Sequence, residues 1–216
     1  MKNIFEACVQ TIHFLLKTFG EMDKLKIVKL IYLADKYHLV SSLGIRTITG
    51  DNYVAMRHGP VGSMVLNILN RNTEYLEPAQ LDFIDKYIRQ TTLGKDDYKC
   101  VQDDMWYGQL SDSDKNSLIK IGELFKDTDK WDLVELTHKY PEWAQFEREL
   151  RKDPSISRPI PVVDMFSCLP DDPLGLSPDG VNFFRKLYLG YEDDPLELDY
   201  EPLPIPSDLL NDYESA

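Results

Sequence analysis

The sequence is poor in cysteine and in positive charge, and it has no long apolar run. Its three cysteines, Cys8, Cys100 and Cys168, lie far apart in 216 residues and form no C-x-x-C or C-x-x-H pair. That spacing excludes a disulfide framework and the common zinc sites. Scattered free thiols suit a reducing compartment. No stretch reaches the ~18 apolar residues of a membrane-crossing helix, and Met1-Lys2-Asn3-Ile4-Phe5-Glu6 lacks the layout of a signal peptide. A cytoplasmic location without a membrane partner is expected. Lys and Arg number 24 against 37 Asp and Glu, a net charge of −13. Nucleic acid and anionic lipid are recognised by neutralising phosphate, so both are poor candidates as partners. A basic surface on a partner is favoured instead, provided the acid is clustered. Also missing are a Walker loop, a G-x-G-x-x-G and a G-x-S-x-G. A chain this long buries roughly 70% of its unfolded surface and needs no metal or disulfide staple.

The acid is clustered. Residues 1–150 carry a net charge of −4 and residues 151–216 a net charge of −9. Ten of the 13 prolines fall in the second part, and nine acids stand between Glu192 and Glu214. Helix interiors and central strands exclude proline at that density. The expected division is therefore a globular domain over 1–150 and an acidic, proline-rich, mostly extended appendage over 151–216.

Within the domain, periodicity predicts helices over Ile4–Phe19 and from Asp23 to Leu39, as antiparallel neighbours. A short strand is predicted over Tyr53–His58, ended by Gly59-Pro60, with a helix over Ser63–Asn70. Pro78 opens a helix to Gln90. Asp97–Gln102 alternates weakly and suits pairing with the Tyr53 strand. Ser111 with Asp114 reads as a capping box, and Asp129 or Asp132 as a later cap. The expected fold class is α+β and predominantly helical, with helices around a small two- or three-stranded β element.

Residue chemistry points to no reaction. The four histidines, His13, His38, His58 and His138, include no i,i+3 or i,i+4 pair. His58 and His138 stand at element ends, where a general base can sit, yet neither has a Ser or Cys beside it in sequence. No catalytic residue, cofactor or metal is expected.

Two runs carry more information. Lys29-Leu30-Ile31-Tyr32-Leu33-Ala34-Asp35 lies on the second helix. Ile48-Thr49-Gly50-Asp51-Asn52-Tyr53-Val54-Ala55-Met56-Arg57-His58-Gly59-Pro60-Val61 covers the predicted strand and its exit. Together with Thr137-His138-Lys139-Tyr140-Pro141-Glu142-Trp143 they resemble the signature of the Panacea domain, the SocA-like antitoxin family, also called phage-associated GepA-like. The similarity extends over roughly residues 4–150. It implies an antitoxin of a bacterial or phage toxin–antitoxin system, with a role in phage defence, that neutralises a toxin encoded beside it by direct binding. Within the family a protease-adaptor role also occurs, in which the toxin is delivered to a cytosolic protease. The resemblance brings no catalytic residues. The matching positions, and candidate toxin contacts, are Lys29, Tyr32, Asp35, Tyr53, His58, Gly59, Pro60, His138 and Trp143.

The appendage is outside that resemblance. Its Val181–Leu189 island is amphipathic, and Phe183, Phe184, Tyr188, Tyr191 and Tyr200 are candidate anchors that fold onto a partner. Removing residues 187–216 is expected to weaken toxin binding, chiefly at low salt. Two other classes remain open: an enzyme using His58 or His138 in an unrecognised pocket, and a winged-helix-like DNA-binding regulator, which the global charge opposes.

Overall fold

The computed structural model describes residues 3–42, 46–91 and 96–192. Helix α1 (Ile4–Phe19) starts where the Asn3 side chain accepts the amide of Glu6 at 3.2 Å. Helix α2 (Lys24–Ser41) starts where Asp23 accepts the amide of Leu25 at 2.8 Å. Between them Met22–Asp23 forms a short strand, β1. Helix α2 runs through the centre of the molecule, and its charged Lys29, Asp35 and Lys36 are as buried as its leucines. Buried charge of this kind persists only where neighbouring groups satisfy it. Its main neighbour is not α1 but α5 (Asp112–Phe125), followed by α6 (Lys130–Lys139).

Strands β2 (Tyr53–Met56) and β3 (Gly59–Gly62) form a hairpin in which Met56 faces Gly59 and Tyr53 faces Gly62. This corrects the expectation that Gly59-Pro60 ends a strand: the turn is Arg57-His58, and Gly59 begins the return strand at φ +98°. Pro60 fits because β3 is an edge strand, where one missing N–H is tolerated. Helix α3 (Ser63–Asn70) follows directly. The carboxylate of Asp51 accepts the amides of Met64 and Val65, both at 2.9 Å, at its first turn.

Helix α4 (Pro78–Tyr87) stops three residues before the expected Gln90, because Ile88–Gln90 leaves as strand β4. It pairs with β5 (Asp97–Cys100), which also pairs with β1. The expected pairing of β5 with the Tyr53 strand does not occur. There are two three-stranded antiparallel sheets among the described residues, not one small element. The Ser111–Asp114 capping box opens α5, and Asp129 caps α6 by accepting the amide of Trp131 at 2.8 Å. Pro141 starts α7 (Pro141–Ala144), and α8 (Glu147–Lys152) spans the expected division at residue 151.

Past that point the chain stays on the domain. Strand β6 (Arg158–Ile160) pairs with β2, Val162–Met165 makes a 3₁₀ turn, and helix α9 (Pro178–Glu192) packs against α2. Met165, Phe166, Leu174 and Val181 join the core. For residues 158–192 the mostly extended reading is thus replaced by packed structure. The prolines permit it by position: Pro159 lies in an edge strand and Pro178 at a helix start, where no N–H is required. The acidic run from Asp193 onward lies outside the described residues.

Candidate functional site

The site is built on Lys29. Its side chain is only 1% exposed, and its Nζ donates to the carbonyl of Pro60 at 2.9 Å. The hairpin closes on it so tightly that a Cβ at Gly59 would fall 2.6 Å from Nζ and 2.8 Å from Thr137 Oγ1. Glycine is required there twice over, by that approach and by the positive φ. No ion pair to Lys29 exists among the described residues, and burial pulls its ammonium down to about 7.

Two adjoining hollows flank the hairpin turn and share Arg57, His58 and Pro154. One, of about 310 Å³, has apolar walls including Leu25, Val28, Met56 and Val61, with Lys29 among them. The other, of about 470 Å³, is lined by Trp131, Glu135, His138, Trp143 and Arg151. The His138 ring lies flat on Trp143 at 3.6 Å and 7°. Burial, then the nearby Lys29 charge, push His138 down to about 4. The Trp143 indole donates to the Met56 carbonyl at 2.8 Å and ties α7 to the hairpin. His58 is exposed on the turn and meets Trp131, itself 51% exposed, edge-on at 5.5 Å. Lys24, Lys29, Arg57 and Arg151 line these hollows against a single acid, Glu135. On a chain of net charge −13 this is a local reversal of sign.

The other motif residues turn inward. The buried Asp35 carboxylate accepts the amides of Ile48 (2.8 Å) and Thr49 (3.3 Å) and the hydroxyls of Thr49 (2.5 Å) and Tyr53 (2.7 Å). Desolvation still holds it up at about 6, above the usual carboxylate range. Tyr32 donates to Glu142, which also accepts from Lys36 at 2.7 Å and from Ser167 at 2.6 Å. Lys36 donates in turn to the Met165 carbonyl at 2.8 Å. Tyr140 donates to Asp172 at 3.0 Å. Sequence reasoning missed Lys36, Glu142, Ser167 and Asp172. The available signal was that Lys29 and Lys36, seven residues apart, both interrupt an apolar helix.

Of the residues proposed as toxin contacts, His58 lies at the surface, His138 is half-buried, and Lys29, Tyr32, Asp35, Tyr53, Gly59, Pro60 and Trp143 are buried. Phe183 is 41% exposed on α9 and meets Phe184 edge-on, while Tyr188 packs on Phe166 at 5.2 Å. The Tyr191 side chain and Tyr200 lie outside the described residues.

One constellation resembles a nucleophile and its base. Cys100 Sγ stands 3.1 Å from His13 Nε2. Yet Nε2 lies 2.7 Å from the Gln102 carbonyl, which only accepts, so Nε2 carries the proton. Nδ1 accepts the Tyr107 hydroxyl at 2.6 Å. Cys100 therefore faces an N–H, and this tautomer cannot take its proton. Burial lowers His13 and raises Cys100, the opposite of an activated thiolate pair. No group of three or more His, Cys, Asp or Glu positioned for a metal ion exists among the described residues, and no helix among them is long and apolar enough to cross a membrane.

The geometry defines a predominantly helical α+β domain whose buried polar motif residues are spent on its own framework around one basic, aromatic cleft. Residues 27–144, more than half of the chain, match the family model of the antitoxin SocA-like, Panacea domain, and the chain belongs to this family. An antitoxin role, with a toxin as partner, is the general property that membership carries. No curated protein and no solved structure matches the chain.

Proposed function

We propose that this protein neutralises its cognate toxin, encoded by the adjacent gene, by direct binding and without a chemical step of its own. The observation that carries the reading is the family match over residues 27–144. The internal use of the motif carboxylates and tyrosines supports it, since it leaves recognition to the exposed Arg57-His58 turn, Trp131 and the Phe183 face of α9. We place this activity in the cytoplasm. The functional division is read at Glu192 rather than at residue 151: the packed residues before it supply the scaffold, and the acidic run beyond it adds contacts to a basic surface of the toxin.

The test is co-expression with the product of the adjacent reading frame, scoring growth and co-purification. Rescue with a stable complex is the expected result. Rescue without a complex would favour delivery to a protease, and a complex without rescue would remove the antitoxin reading. The tail is tested by deleting residues 193–216, which spares the Tyr188 contact with Phe166 that a cut at 187 would break. Affinity is expected to fall more at low salt than at high salt, because exposed charges are screened within about 8 Å at physiological ionic strength. Equal affinity for both forms at low salt would show that the tail adds nothing.

A further inference from the structure

The cleft at the hairpin is basic in a chain whose net charge is −13. The apolar hollow of about 310 Å³ has room for one or two side chains. Lys29 is buried beside it and has among the described residues one acceptor, the Pro60 carbonyl, for its three protons. At the rim Lys24 is paired with Asp96 at 3.0 Å, and Arg151 in the neighbouring hollow with Glu147 at 2.7 Å. Arg57, exposed on the turn, has no such carboxylate partner among the described residues. Two basic side chains without a carboxylate partner among the described residues thus flank apolar walls, with the Trp131 and His58 rings alongside. A buried cation lacking its counter-charge is expensive to maintain. Among the described residues Lys29 has one hydrogen bond, to the hairpin, and no carboxylate to offset its charge.

We infer that this cleft is the docking site for a segment of the toxin in which an acidic side chain accompanies a large apolar one. The apolar side chain fills the space among Leu25, Val28, Met56 and Val61, and the carboxylate supplies the counter-charge for Arg57 at the mouth and Lys29 behind it. Charge complementarity selects this occupant, because a basic segment would meet unpaired cations. This inference rests on the direct-binding reading of the preceding subsection.

The experiment measures toxin affinity for the full chain, for Arg57→Glu, for Lys29→Met and for Arg89→Glu, an exposed control in another sheet. Arg57→Glu and Lys29→Met are each expected to weaken binding by about tenfold or more, as for the loss of one member of a desolvated charge pair, and Arg89→Glu by less than about twofold. Because Arg57 is on the surface, its substitution stays informative even if Lys29→Met alters the fold. A scan of the toxin's Asp and Glu residues to Lys is then expected to find one that restores binding to Arg57→Glu. A wild-type complex with both cleft variants within about twofold of it would overturn the cleft alone. Absence of any wild-type complex would overturn the direct-binding reading and the cleft with it.

Discussion

Lys29 and Asp35 sit six residues apart on the same buried helix and make opposite demands on pH. The Lys29 ammonium titrates at about 7 in the folded chain, against an ordinary 10.5 when unfolded. Between those values the unfolded chain binds the extra proton, so this residue makes stability rise with pH. Below about pH 7 both states are protonated and the full penalty is present. Lys29→Met is expected to melt higher than wild type at pH 7 and to lose part of the rise in stability between pH 7 and 9.5, read from urea curves at both pH values. An unchanged pH slope would show that Lys29 is not charged in that window. Asp35 is lifted from 3.8 to about 6. The folded chain holds its proton longer, so this group makes stability fall as pH rises from about 4 to 6. Tyr53→Phe removes one of the four hydrogen bonds to that carboxylate. It is expected to cost about 2 kcal/mol in urea unfolding at pH 7, the scale for a hydrogen bond to a charged group.

Among elements, the segment that follows α8 depends on a buried ion pair. Lys36 and Glu142 have fully buried side chains 2.7 Å apart, and Met165 and Ser167 bond to the same pair. Glu142→Ala leaves Lys36 buried without its carboxylate, which is expected to cost about 3–5 kcal/mol. The damage should begin in the segment carrying Met165 and Ser167. Limited proteolysis is therefore expected to cut between Lys152 and Pro178 in the variant at protease levels that leave wild type intact. Uniform cleavage along the chain would mean that the pair supports the whole domain instead. The hairpin gives a second test. Gly59→Ala is strained by φ +98° and by the 2.6 Å approach to Lys29 Nζ. It is expected to destabilise by about 1–3 kcal/mol, and a combined Lys29→Ala should recover only part of that, since the φ strain and the 2.8 Å approach to Thr137 Oγ1 remain.

The extent of α1 was legible from its apolar periodicity, and the starts of α2 and α5 from Asp23 and the Ser111–Asp114 box, which act within a few residues of the helices they open. The hairpin was half legible. Tyr53–Met56 alternates as a strand should, but Gly59-Pro60 signals a break as readily as an edge strand, and only its place at the sheet margin separates the two. The sheet that joins Met22–Asp23, Ile88–Gln90 and Asp97–Cys100 was not legible, since strands of two to four residues leave no periodicity to count. In the candidate site, the run from Lys29 to Val61 could be singled out by resemblance, but its division into framework and surface could not. Asp35 and Tyr53 read as possible contact residues, and they bond to each other instead.

At the scale of the whole molecule, the sequence by itself determined the helical class, the caps, the excess of acid and its concentration toward the C-terminus, and the family. Each of these follows from local pattern or composition, which needs no knowledge of what touches what. Tertiary structure decided that residues 158–192 return to the domain, that His13 and Cys100 meet in an unreactive tautomer, and that Lys29, Arg57 and Trp131 converge on one basic cleft in an acidic chain. These depend on contacts across dozens of residues, and only the packed fold sets which charges are buried beside which carbonyls.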